Sequence, residues 1–126
     1  RTRPAVVAWL GVAMYLERAE AMATLTWIAS LAPGSAVVFD YVVPPDSVDE
    51  TGRALYQRLL DRLTSIGEPW KTFFEPAELE HTLRALGFTE IDDLNGEQMT
   101  ARYLQNRVDG LRAGHVGHVV VACRGR

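Results

Sequence analysis

Between Ala5 and Leu10 the chain is almost wholly apolar, with Val6, Val7 and Trp9 close together. A short run without polar alternation predicts a strand buried on both faces, as in a parallel sheet. The pattern changes after Leu16. Ala21, Leu25, Ile28 and Ala32 recur at helical spacing and give residues 17–32 one apolar face. Pro33-Gly34 then stops the helix. The run AVVFDYVV, from Ala36 to Val43, predicts a second buried strand, closed by Pro44-Pro45. Strand, helix and strand together make a βαβ unit, two parallel strands joined by a right-handed crossover.

A longer helix is expected next. Ser47 as N-cap and Glu50 three residues later form a capping box. Leu55, Leu59, Leu60 and Leu63 supply its predicted buried face, and Gly67 its stop. Gly52 inside that helix would cost about 1 kcal/mol relative to alanine. Trp70, Phe73 and Phe74 fall in a loop. Another helix opens with Pro76 in its first turn, carries Leu79, Leu83 and Leu86, and ends at Gly87-Phe88. A third strand is predicted from Phe88 to Leu94 and a short helix from Gly96 to about Gln105. A polar loop over Arg107 to Gly114 leads to a last buried strand, VGHVVVAC, from Val116 to Cys123. The fold class is therefore α/β.

Composition narrows the function. The 126 residues suit a single domain, and 48% apolar with 23% charged residues is a globular balance. A net charge of −3 argues against nucleic acid, which calls for a basic face. The longest uncharged apolar run, Pro4 to Leu16, is too short to cross a bilayer as a helix. It imitates a signal peptide, with Arg1 and Arg3 ahead of it and Ala21-Met22-Ala23 behind, but Glu17, Arg18 and Glu20 break the neutral segment such a signal needs. One cysteine, Cys123, excludes an internal disulfide, so a cytoplasmic location is expected. Because an apolar strand starts so close to Arg1, the chain is expected to be a piece of a longer protein.

Three strings carry a family likeness: WLGVAMYL at residues 9–16, GEPWKTFFEPAELEHTLRALGF at 67–88 and DLNGEQMTARYLQNRVDGL at 93–111. In this order they resemble the class I S-adenosylmethionine-dependent methyltransferases related to leucine carboxyl methyltransferase. The resemblance implies a Rossmann-like sheet in the order 3-2-1-4-5-7-6 with the seventh strand antiparallel. Residues 5–10, 36–43, 88–94 and 116–123 would be its strands four, five, six and seven, the carboxyl-terminal half of the domain with flanking helices. The glycine-rich turn that grips the cofactor follows strand one in that family, and the chain contains no G-x-G.

Ligands of open α/β sheets sit beyond the carboxyl ends of the strands. Leu10, Gly11 and Val12 are therefore the candidate cofactor contacts, with S-adenosylmethionine the cofactor that the resemblance implies. Leu10 stands where the carboxyl methyltransferases carry an acidic residue, so it brings no carboxylate. The WLGV-type turn is more like that of the large bacterial branch of the family. Without the resemblance, Gly11 and Tyr15 read first as a tight strand-to-helix turn with a packed aromatic, and with it the two readings stand level.

The candidate substrate contacts are Tyr15, Asp40, Trp70, Phe73, Arg102, Tyr103 and Arg107. Asp40, inside an apolar strand, is either a substrate contact or weak base, or an acceptor for a helix cap or backbone N–H. Trp70, Phe73 and Phe74 either wall an apolar pocket or form core beneath a long loop. Arg102, Tyr103, Arg107 and Asp109 either clamp a substrate carboxylate or hold a surface loop by ion pairs. His115, His118 and Cys123 lack the spacing of a tetrahedral metal shell, so no metal is expected.

The expected partner is a small-molecule methyl acceptor bearing a carboxylate or a hydroxyl, with no nucleic acid and no membrane. The 5–10 strand, without its usual neighbour, would present a bare edge that forms a homodimer or pairs with the missing amino-terminal half. The contrasting reading is a non-catalytic α/β module that works through self-association or partner binding.

Overall fold

The computed structural model describes residues 3–99, 101 and 117–125. Strand β1 (Val6–Trp9) runs parallel to β2 (Ala36–Val42), with Val6 opposite Ala36 and Trp9 opposite Phe39. Helix α1 (Arg18–Ala29) is the crossover between them. Its first turn is closed by Glu20, whose Oε1 accepts from the Glu17 N–H at 3.0 Å. Ala21, Leu25 and Ile28 are buried, as their spacing predicts. The helix itself ends at Ala29, short of Pro33-Gly34.

Helix α2 (Glu50–Ser65), helix α3 (Pro76–Leu86) and strand β3 (Phe88–Leu94) follow. A single helical turn, α4 (Gly96–Met99), comes after them. Strand β4 (Gly117–Arg124) lies between β2 and β3 and is antiparallel to both, so the sheet order is β1-β2-β4-β3. This is the 4-5-7-6 order with a reversed last strand that the family resemblance implies.

The core lies on one face of the sheet. Val37, Phe39 and Tyr41 of β2 and Val120 and Ala122 of β4 alternate onto that face and pack against Leu25 and Ile28 of α1 and Leu79 and Leu83 of α3. The opposite face holds Ala8, Val38, Val119 and Val121, none of them fully buried. Val6, on the same side, is 75% exposed. The expectation that β1 is buried on both faces therefore fails. Its Val7 and Trp9 reach the core, while Val6 and Ala8 have no layer above them. An apolar run identifies a strand that is able to be buried twice, but the covering layer must come from elsewhere.

Two features of α2 also differ from expectation. Its N-cap is Asp49, whose Oδ1 accepts from the Gly52 N–H at 2.7 Å, while Ser47 ends a short 3-10 turn at Pro45–Ser47. Two consecutive prolines favour that turn and move the helix start forward. The leucine face is rotated away from the core as well. Leu55 is 64% exposed, and the buried residue is its neighbour Tyr56, whose hydroxyl donates to the Val43 carbonyl at 2.7 Å.

Gly52 is explained by a close approach. A Cβ there would lie 2.5 Å from Val48 Cγ1 and 3.2 Å from Asp49 Oδ1. The usual gain of about 1 kcal/mol from replacing a helical glycine with alanine is therefore reversed. We expect Gly52→Ala to destabilise the chain by about 1–2 kcal/mol in urea unfolding, and unchanged or increased stability would contradict the contact.

Candidate functional site

The carboxyl ends of β1, β2 and β3 and the start of the reversed β4 lie at one end of the sheet. At β1 the chain leaves the strand through Gly11, whose φ of +71° suits glycine, and enters a 3-10 turn at Ala13–Tyr15. Asp40 fixes this exit. Its Oδ1 accepts from the Gly11 N–H at 2.7 Å, joining the end of β1 to the neighbouring strand. Open space surrounds the position of a Gly11 Cβ, and Leu10 is 56% exposed. With the partly exposed Val12, these residues make an apolar ledge at the rim of the sheet.

The loop after α2 runs across this turn. Lys71 and Thr72 donate backbone N–H groups to the Met14 carbonyl at 2.7 and 3.3 Å, and the Thr72 hydroxyl donates to the Leu16 carbonyl. Phe74 N–H donates to the Val42 carbonyl at 3.0 Å. Trp70 and Phe73 both meet the Tyr56 ring edge-on, at 6.3 and 6.4 Å between centroids. Phe74 lies against Tyr41 and beneath the Arg18 guanidinium. Tyr15 stands apart from this aromatic group, beside an open hollow of about 630 Å³ lined by Gly67, Glu68, Pro69 and Lys71. Arg102, Tyr103, Arg107, Asp109 and His115 lie outside the described residues.

One constellation went unrecognised in the sequence. Tyr41, Asp93 and His118 come from three strands and meet on the core side of the sheet. His118 Nδ1 lies 2.8 Å from Asp93 Oδ1 and 3.1 Å from the Tyr41 hydroxyl, which donates to Asp93 Oδ2. Asp93 and His118 are only 18% and 13% exposed. Burial first, then the hydrogen bond and the negative charge of Asp93, push the Tyr41 hydroxyl far above its usual value, so it stays protonated and donates. The hint in the sequence was slight: Tyr41 and His118 sit within apolar runs, and Asp93 is one of several polar residues in β3. The register that aligns Tyr41 with His118 is a long-range pairing that local pattern does not encode.

Beside this trio opens a cleft of about 530 Å³, bounded by the N-terminal ends of α2 and α3 and by Asn95 and Glu97. Asp49 and Glu75 line it while capping those two helices, Glu75 Oε2 accepting from the Glu78 N–H at 2.9 Å. Among the described residues no group of three or more histidine, cysteine, aspartate or glutamate side chains is arranged to hold a metal ion, and no helix is long and apolar enough to cross a membrane.

Comparison with known proteins gives this geometry a context. The human N-acetylserotonin methyltransferase in complex with S-adenosylmethionine superposes with a TM-score of 0.58 at 13% identity, over 96% of this chain and 29% of that one. The fold is that of the class I methyltransferases. A possible exported protein of Bordetella parapertussis matches with a TM-score of 0.66 at 18% identity, over 99% of this chain and 41% of that one. Among curated proteins, the Bacillus subtilis protein named "Putative S-adenosyl-L-methionine-dependent methyltransferase YktD" is 29% identical over 119 residues. That match takes in 91% of this chain and 38% of the relative's length. No family model matches the chain.

Within that fold the residues present fit one wall of a methyl donor. Leu10, Gly11 and Val12 offer apolar surface and close backbone approach, which suit the flat base of an adenosyl group. Asp40 is already engaged by the Gly11 N–H.

Proposed function

We propose that this chain is the carboxyl-terminal half of an S-adenosylmethionine-dependent methyltransferase acting on a small molecule. The observation that carries the proposal is the ledge at Leu10, Gly11 and Val12, at the carboxyl end of a strand in a β1-β2-β4-β3 sheet whose last strand is reversed. The three strings at 9–16, 67–88 and 93–111 favour the leucine carboxyl methyltransferase relatives within the class. When bound, S-adenosylmethionine supplies a methyl group activated by a positive sulfur.

This chain's residues contribute one side of the donor site and much of the acceptor side. The ledge positions the donor against the sheet, and Asp40 keeps the ledge in place. The strap from Trp70 to Phe74 holds the Ala13–Tyr15 turn and excludes water beneath it. Alignment of acceptor and methyl accounts for most of the catalysis in such a displacement. The bare side of β1 pairs with a second copy of the chain or with the amino-terminal half.

Calorimetric titration tests this reading. The chain alone should bind S-adenosylmethionine no more tightly than the millimolar range, and a polypeptide that also carries the preceding half of the domain should bind it in the micromolar range. Micromolar binding by the chain alone would overturn the partial donor site. No binding by the longer polypeptide would overturn the methyltransferase reading.

A further inference from the structure

We propose that His118, held by Asp93 and Tyr41, is the base that accepts the proton of a neutral, hydroxyl-bearing methyl acceptor seated in the cleft beside it. This rests on the methyltransferase reading and chooses between a carboxylate and a hydroxyl acceptor.

The hydrogen bonds fix the tautomer. An ionised Asp93 only accepts, so the Nδ1 atom at 2.8 Å from its Oδ1 carries the hydrogen. The other carboxylate oxygen accepts from Tyr41. The neutral ring therefore has its lone pair on Nε2, which bonds to none of the described residues, and His118 lines the cleft. A carboxylate that orients an imidazole through Nδ1 and leaves Nε2 as acceptor is the arrangement general-base catalysis requires.

The lining selects the acceptor. Asp49, Glu75 and Glu97 border the cleft, and among the described residues neither lysine nor arginine lines it. Two of these carboxylates are fixed by capping hydrogen bonds. An anionic acceptor would face three negative groups with no positive partner among the described lining residues, whereas a neutral alcohol meets no such penalty. Val43, Val48 and Pro76 supply apolar wall for its carbon skeleton. The cleft's size is that of a small-molecule site.

The step balances. The acceptor O–H bond breaks and its proton goes to Nε2. The oxygen electron pair forms the bond to the methyl carbon, and the carbon–sulfur pair remains on sulfur. The positive charge of the sulfonium donor ends on the imidazolium. Asp93 acts as a positioning residue, since it touches the ring and not the acceptor.

The test uses two probes of similar size and no methyl donor. Benzyl alcohol and benzoate are titrated separately into the ¹⁵N-labelled chain, and the His118 ring nitrogens and the Gly52 amide are followed by NMR. In the free chain, Nδ1 should be the protonated nitrogen. Benzyl alcohol should shift Nε2 and the Gly52 amide with an apparent affinity about tenfold above that of benzoate, the equivalent of about 1.4 kcal/mol. His118→Gln should retain a folded spectrum and lose the alcohol-dependent shift of Gly52.

An unprotonated Nδ1 in the free chain overturns the proposal. So does an equal or stronger response to benzoate, or the absence of any response to the alcohol. Should His118→Gln not fold, the wild-type titrations decide alone. Because no donor is present, failure here leaves S-adenosylmethionine binding to be judged separately, and failure of donor binding leaves this result standing.

Discussion

Replacing Phe39 with alanine should lower the unfolding free energy by about 3–5 kcal/mol, the range for removing a buried phenylalanine ring. Phe39 is fully buried at the middle of β2. Its ring lies 5.6 Å from Trp9 on β1 and 6.3 Å from Tyr41 on its own strand, and Tyr41 continues to Phe74 at 6.1 Å. The substitution therefore removes transfer free energy, leaves a cavity between α1, α3 and the sheet, and breaks two aromatic contacts. Small domains are stable by only about 5–15 kcal/mol, so this is a large share of the total. Urea unfolding followed by circular dichroism measures it. A loss below about 1 kcal/mol would mean that the site collapses around the cavity and that the aromatic row is not a structural spine. The row also links the two candidate sites. Trp9 precedes the ledge at Gly11, and Tyr41 is one of the partners of His118. A loosened Phe39 site should thus broaden NMR signals at both Gly11 and His118.

The strands were legible because each carries its own evidence, while their order came from the family resemblance. Three β-branched or aromatic runs and one mixed run appear at the right intervals, and the helix after β1 is long enough to force a parallel return. Helix faces were legible only where the helix lies on the sheet. Ala21, Leu25 and Ile28 repeat at the period that the sheet surface selects, and they are buried. Leu55 and Leu59 repeat just as well and are exposed, because α2 meets the rest of the fold through Tyr56, whose hydroxyl bonds to Val43 and whose ring meets Trp70 and Phe73. Periodicity identifies a face, and packing decides what the face meets. At the ligand end, Gly11 and Asp40 were each visible as anomalies in apolar runs. Their hydrogen bond across 29 residues was not, nor was the meeting of Tyr41, Asp93 and His118. Both depend on which strands become neighbours. Polar residues inside strands give a list of candidates, and register converts the list into a site.

A proline at Ala8 should halve the mass of the chain in solution while leaving its circular dichroism unchanged. The argument begins from one hydrogen bond. The Ala5 carbonyl accepts from the Ala36 N–H at 2.9 Å. In a parallel ladder both backbone groups of a residue point to the same side, and the sides alternate along the strand. Ala5, Val7 and Trp9 therefore bond towards β2, while Val6 and Ala8 present their N–H and C=O groups away from it. β1 is the edge of the sheet, and Val6 and Ala8 add exposed apolar side chains to those unpaired groups. Such an edge pairs with another strand unless something blocks it. Proline is tolerated on an edge strand where its missing N–H would have faced outward. Ala8→Pro thus removes a donor that the β1–β2 ladder does not use. Val7→Pro removes one used within the sheet, and should destabilise the fold instead. Light scattering should give a dimer for the unmodified chain, a monomer for Ala8→Pro, and unfolded or aggregated material for Val7→Pro. A stable monomer of the unmodified chain, or a dimer that survives Ala8→Pro, would show that this edge is not the contact. A polypeptide that also carries the preceding half of the domain would cover the same edge internally, so its mass should not respond to Ala8→Pro even where the short chain's does.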